Sequence, residues 1–176
     1  MFDWRWDFTF DILPRLLVAT GNTLMAAGFG YAIAVVLGLI LALAQRTPSR
    51  VLTLIVRELV EFVRSTPLVL QIFFVFYVGP QFGLRLSPWT AGMIAIGLHY
   101  AAYLSEVYRG GLDSVPKGQW EAATSLNLST TRTYFRVIIP QAMPPSLAGM
   151  GNYLVGILKD TPMLSVIGVA ELMHTA

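Results

Sequence analysis

The chain has 176 residues, 55% of them hydrophobic and only 12% charged, and it contains no cysteine. That balance argues against an ordinary soluble domain and excludes a disulfide-stapled scaffold or a Cys-based metal site. A net charge of +2 with no basic tract offers nucleic acid no electrostatic footprint, and no Gly-rich phosphate loop is present.

The opening MFDWRWDFTFD alternates Phe2, Trp4, Trp6, Phe8 and Phe10 with Asp3, Arg5, Asp7, Thr9 and Asp11. Such alternation suits a strand, but a lone strand would have no partner, so an aromatic interfacial segment ahead of a membrane helix is preferred. It is no secretory signal, because it carries acids and its apolar region starts late and runs too long. Charges divide the rest of the chain into four apolar intervals, 16 to 45, 65 to 84, 86 to 105 and 137 to 158, each of 20 residues or more. About 20 helical residues cross a bilayer core. Backbone groups in lipid need internal partners, and the period-2 alternation of a barrel strand is absent, so each interval reads as a membrane helix. A soluble helical bundle with a buried central hairpin is the weaker reading on span length.

In the first interval, Gly28, Gly30 and Gly38 are expected to serve helix packing. Arg64-Ser65-Thr66-Pro67 marks the point where the second helix leaves an amphipathic portion and enters lipid, and Pro67 predicts a bend there. Glu58, Glu61 and Arg64 lie at helical spacing for local ion pairs. A gate at this point is the sharper reading; plain passage into lipid is preferred. Positive residues set the orientation. Arg46, Arg50, Arg57 and Arg64 lie in the first loop and Arg109, Lys117, Arg132 and Arg136 in the third, against Arg5, Arg15 and Arg85 on the other side. The first and third loops are therefore expected in the cytoplasm and the N-terminus outside.

The third loop, residues 110 to 136, is polar and helix-like. Gly110 and Gly111 are expected to end the third span, and Pro116 to sit in the first turn of a short helix through Trp120, Glu121, Ala122 and Ala123 to about Leu126. Asn127 suits a left-handed C-terminal turn. Ser129 can cap a second helix, which Pro140 is expected to interrupt. Ala122 and Ala123 would let another surface approach closely, Trp120 and Leu126 offer apolar area, and Glu121 a charge, with Glu121 and Ala123 expected to face solvent. On physics alone a docking knob and a connector lying on the headgroups are equally good readings.

Spacing separates them. Glu121-Ala122-Ala123, three residues, Asn127, nine residues, Val137, Ile138, Ile139 and Pro140 resembles the EAA loop, E-A-A-x3-G-x9-I-x-L-P, of ATP-binding-cassette importer permeases. Asn127 stands at the Gly position, and Val137 and Ile139 at the Ile and Leu positions. GNTLMA at 21 to 26, RSTPLVLQIFFVFYVGP at 64 to 80, EVYRGGLDSVPKGQWEAA at 106 to 123 and GMGNYLVGILKDTPMLSVIG at 149 to 168 extend the resemblance over nearly the whole chain, to the polar amino-acid branch. SLNLS with GNYLV and KDTP also resembles ectoine and hydroxyectoine importer permeases.

The resemblance implies an all-α, multi-pass bundle in the bacterial plasma (inner) membrane, one permease domain over 1–176 with a coupling loop at 110–136. It implies two cytoplasmic ATP-binding subunits, a second permease subunit and an extracytoplasmic solute-binding protein. ATP would be bound by the partner subunit, and this chain would perform alternating access with no covalent chemistry. Trp120, Glu121, Ala122, Ala123, Leu126 and Asn127 would couple to the ATPase. Polar groups in lipid usually face a bundle interior or a water path, which makes Gln71, His99, Asn152, Lys159 and Asp160 the candidates for a translocation path. For His99 a neutral packing role is preferred to substrate contact. Lys159 and Asp160, beside Pro162, read either as a broken helix lining a cavity or as an ion pair at the outer surface. The family pattern continues into a fifth helix beyond ELMHTA at 171 to 176, so a C-terminal truncation is expected. A non-conducting assembly or anchoring subunit is the second hypothesis, separated by whether Gln71, Asn152 and Lys159 face one water-accessible cavity. A membrane enzyme ranks third, because no HExxH pair, paired intramembrane acids or nucleophile-base cluster is visible.

Overall fold

The structure is a computed structural model describing residues 6–175. The Met1–Arg5 part of the aromatic opening lies outside the described residues. From Trp6 onward that opening is helical, and no strand occurs among the described residues. Helix α1 (Trp6–Ala44) is followed by α2 (Arg50–Ser65) and α3 (Leu68–Phe73), which runs on through a π turn at Phe74–Val78 and a 3₁₀ turn at Gly79–Phe82. Helix α4 spans Pro88–Asp113, α5 Lys117–Ser125 and α6 Thr130–Thr133; a π turn at Tyr134–Ile138 leads into α7 (Ile139–Asp160), and a 3₁₀ segment at Thr161–Ile167 precedes α8 (Leu172–Thr175).

All four apolar intervals are helical over most of their length. At 1.5 Å per residue α1 is about 58 Å long, nearly twice the hydrocarbon core. Among the described residues it alone is long and apolar enough to cross a membrane by itself; α2 and Leu68–Phe82 reach that standard as a pair bent by 104°. The predicted bend is thus present. Gln71 braces it: its Nε2 donates to Val63 O at 2.8 Å, which also accepts from Thr66 N–H, and to Thr66 O at 3.1 Å. Helices α4 and α7 are about 39 and 33 Å long, enough to cross, but glycines, prolines and polar residues dilute their apolar character.

Side-chain size sets the packing. The buried positions of α1 are Ala19, Ala26, Ala27, Gly30, Ala34, Gly38 and Ala42, repeating mostly at four-residue intervals, whereas Leu17, Val18, Leu24, Phe29, Val36 and Ile40 point outward. In water that distribution would be inside out. In lipid, small residues bring backbones together and large ones meet the acyl chains. The facing residues of α4 include Ile96, Ala101 and Leu104. A Cβ on Gly30 would approach Ile96 Cγ2 to 2.8 Å, and one on Gly38 would meet Leu104 Cβ at 2.9 Å and the Ala101 carbonyl oxygen at 3.0 Å. Gly28 has nothing within 4 Å, so the packing role expected of it holds only for its two neighbours.

Two further expectations are corrected. Gly110 and Gly111 do not end the third span, because α4 continues to Asp113. Gly111 is instead the place where α4 crosses α7: a Cβ there would collide with Ser146 Oγ and lie 2.9 Å from the Ala142 carbonyl oxygen. Nor does Pro140 end the second loop helix. Ile139 N–H bonds to Tyr134 O, an i to i−5 turn, and this widening accommodates a proline ring that would press on the i−4 carbonyl in a regular helix. The same device precedes Pro80, where Gly79 N–H bonds to Phe74 O.

The α1–α4 contact generates a direct test. Gly38→Leu is expected to destabilise the chain by about 1–3 kcal/mol through overpacking against a backbone carbonyl, while Gly28→Leu leaves stability unchanged. Thermal unfolding in detergent measures both; equal melting of the two variants would contradict the packing assigned to Gly38.

Candidate coupling loop and polar cluster

Helix α5 follows Pro116, which occupies the N-cap position, one residue ahead of the helix, with extended ψ. The turn at its C-terminus is of the Schellman type. Leu128 N–H bonds to Ala123 O at 3.1 Å and Asn127 N–H to Thr124 O at 2.9 Å, satisfying two carbonyls that a helix end leaves open. Asn127 adopts φ 49°, the only positive φ of a non-glycine residue among those described. That is the left-handed conformation expected of it, and Asn reaches it at lower cost than other non-glycine residues. Ser129 then caps the following helix as expected, accepting from Arg132 N–H.

The turn folds α5 back against the start of the α7 column. Trp120 meets Tyr134 edge to face at 5.2 Å, and Gln141 Nε2 donates to Gln119 Oε1 at 3.2 Å and to Val137 O at 2.8 Å. Val115, Ile138 and Ala142 form a small buried core beneath the loop, with Leu112, Trp120 and Val137 around it. Glu121, Ala122 and Leu126 are exposed. Ala123 is not: it retains 2% exposure, so the solvent-facing position expected for it is corrected. It lies on the inner side of α5, three residues after Trp120. The loop therefore presents Glu121, Ala122 and Leu126 outward on a helix whose inner face is fixed to the membrane domain. At the adjacent end of α4, Arg109 donates to Glu106 at 2.8 Å. Arg46, just past α1, pairs with Asp113 at the end of α4.

The candidate path residues fall into separate settings. His99 is buried on α4, its ring edge-on to Tyr100 at 5.4 Å and tilted against Tyr103 at 5.1 Å, with Nδ1 unpartnered. Tyr100 Oη donates to Asp160 Oδ2 at 2.6 Å, and Tyr153 from α7 packs on both Tyr100 and Tyr103. His99 and Asp160 thus belong to one cluster at the α4–α7 contact, joined by three tyrosines that sequence reasoning passed over. The helix does break after Asp160, into the 3₁₀ segment whose Thr161 is fully buried. Asn152 and Lys159 are exposed on α7 without a side-chain partner among the described residues, and Asp160 bonds to a tyrosine rather than forming the alternative ion pair. Gln71 is engaged at the bend. Sequence reasoning also missed Glu171: fully buried, its carboxylate accepts from Met173 N–H and His174 N–H. GNTLMA ties this end back to α1, as Asn22 Nδ2 donates to Ala170 O and Leu172 N–H to Thr23 Oγ1.

Residues 34–176, from mid-α1 onward, match the family described as the inner membrane component of binding-protein-dependent transport systems. The chain belongs to that family. As a member, this permease is 42% identical over its full length to the probable amino-acid ABC transporter permease y4tG of Sinorhizobium fredii, covering 79% of that protein. It is 41% identical to the L-cystine transport system permease TcyB of Bacillus subtilis, over 80% of this chain and 60% of that protein. Among solved structures, a crystal structure of an amino acid ABC transporter with histidines superposes with a TM-score of 0.89 at 31% identity, covering 97% of this chain and 79% of the other. The MetNI methionine transporter, at 16% identity and a TM-score of 0.69, shares the fold.

The strained turn of the permease is testable at Asn127. Asn127→Gly should preserve it, while Asn127→Val forces a β-branched side chain into the left-handed region at a cost of about 1–2 kcal/mol. Amide hydrogen exchange at Leu128 should therefore accelerate roughly tenfold in the valine variant and little in the glycine variant; equal protection in both would remove the turn from the account.

Proposed function

We propose that this permease is the membrane subunit of an ATP-driven amino-acid importer and that its α5 loop receives the movement of a cytoplasmic ATP-binding subunit. The observation that carries this reading is the geometry of the loop. Glu121, Ala122 and Leu126 face outward at the E-A-A spacing, while Trp120 against Tyr134 and Gln119 bonded to Gln141 fasten the same helix to the α7 column. A push on the outer face moves α7 as a rigid body, and at its far end that column carries Asp160 in the tyrosine cluster. Two ATP-binding subunits would bind the nucleotide, a second permease subunit would complete the channel, and an extracytoplasmic binding protein would deliver the solute. The chain itself would be no enzyme.

The N-terminus would lie outside, with the Arg-rich first and third loops in the cytoplasm. His99, Asn152, Lys159 and Asp160 would contribute to the path, with the cluster of His99, Tyr100 and Asp160 its best-supported part, while Gln71 is taken up by the backbone of the bend. Relatives named for cystine, glutamine and nopaline support a polar amino acid as substrate. The narrower ectoine reading rests on the SLNLS, GNYLV and KDTP stretches and finds no support among these names. The cavity that Gln71 lines includes neither Asn152 nor Lys159, so a shared cavity does not separate the readings; a purely anchoring subunit is not favoured, because it gives the outward-facing loop no task.

The test uses the exposed positions. Enlarging Ala123 would unseat the loop from within, so Ala122→Trp and Glu121→Lys are the informative variants. A misfit at a packed interface costs about 1–3 kcal/mol, which lowers ATPase occupancy roughly tenfold or more. Uptake and ATPase association should fall while abundance and melting stay normal. Unchanged transport by both variants would make the loop a surface connector.

A further inference from the structure

The path proposed along α4 and α7 leaves α2 without a task, although it is strongly two-sided. Arg50, Arg57, Glu61 and Arg64 lie along one side, and Val51, Ile55, Leu59 and Phe62 along the other, the last four all exposed, Val51 to 69% and Phe62 to 68%. With Leu68–Phe82 taken along the membrane normal, the 104° bend sets α2 close to the membrane plane. Its apolar side then faces the hydrocarbon. A cavity of about 550 Å³ opens beneath it, walled by Val63 and Leu59 of α2, Leu37 and Leu41 of α1, Leu70 past the bend and Leu98 of α4. Its lining is apolar except for Thr66 and Gln71, and the Gln71 amide donates to the carbonyls of the bend.

At the α1–α2 elbow a second cavity, of about 390 Å³, is lined by Arg46, Arg50, Thr53 and Arg57. Arg46 is paired with Asp113, and Arg64 with Glu61 at 3.7 Å. Arg50 and Arg57 are exposed and have no ion-pair partner among the described residues. An apolar crook on the membrane side of an in-plane helix, with two unpaired guanidinium groups at headgroup level, is complementary to an acyl chain joined to an anionic phosphate.

We propose that α2 is an interfacial anchor that seats an anionic phospholipid, with its acyl chain in the crook and its phosphate on Arg50 and Arg57. The chain has no cysteine, so a bimane fluorophore can be placed on Ile55→Cys alone, with Leu59→Cys as a second reporter. The permease, assembled with its partner subunits, is reconstituted in mixed phosphatidylcholine and phosphatidylglycerol vesicles in which one or the other lipid carries brominated chains. The fluorophore should be quenched, and more by brominated phosphatidylglycerol than by brominated phosphatidylcholine at the same mole fraction. Replacing Arg50 and Arg57 with Gln should cut that preference about fivefold per arginine while quenching itself persists, and added salt should reduce it in the unsubstituted protein. Unquenched fluorophores at both positions would overturn the proposal in favour of a protein cover, which a disulfide between two Ile55→Cys copies would identify as a second copy of this chain. Equal quenching by the two lipids, or a preference indifferent to Arg50→Gln and Arg57→Gln, would overturn the headgroup assignment.

Discussion

The close approach of α1 to α4 through small side chains is the constraint on which the rest of the structure depends. Lipid removes the hydrophobic reward for burying a leucine between helices, so association must come from packing and backbone proximity. Ala26, Gly30, Ala34 and Gly38 supply that proximity, and the Gly38 position against the Ala101 carbonyl leaves no room for a methyl group. Once α4 is held against α1, its other face is free to meet α7. That second contact also relies on small residues: Gly111 against Ser146, Gly149 against Val107, and Gly156 against the Tyr100 hydroxyl.

From this arrangement follows the division of labour proposed for the chain. Helix α1 and α4 form the static pair, clamped at one end by Arg46 and Asp113. Helix α7 is joined to the loop through Tyr134–Ile138 and Gln141, and to the opposite end of the molecule through Asp160 and Thr161. The tyrosine and histidine cluster sits between the two bodies, at the place where relative movement would alter its contacts. Elements that must move need interfaces with alternative arrangements, and rings held by one hydrogen bond and edge contacts meet that requirement better than the backbone contacts of α1 with α4.

Much of this was legible in the sequence because it rests on local chemistry. Charge-free intervals marked the helices, Pro67 marked the bend, and Asn127 and Ser129 marked a turn and a cap whose geometry depends on few neighbours. What stayed hidden depends on other elements. Pro140 reads as a helix stop until the widened turn at Tyr134–Ile138 is seen, and Gly111 reads as a terminus until α7 is placed across it. Ala123 looked outward because a short polar helix shows no strong face, and only its burial on the inner side of α5 decides the matter. Tyr100, Tyr103 and Tyr153 could have been suspected as polar groups in apolar intervals, but their grouping with His99 and Asp160 depends on the register of α4 against α7.

The central claim is that loop and α7 form one body that moves as a unit against the rest of the complex. Spin labels on Ser125→Cys and Val155→Cys, both exposed positions, report the distance along that body by pulsed electron resonance in the assembled transporter, without nucleotide and with ATP trapped. The account predicts an unchanged distance within one chain while the distance between Ser125 labels on opposing permease subunits shifts. A changed Ser125–Val155 distance within one chain, with the loop moving independently of α7, would contradict it.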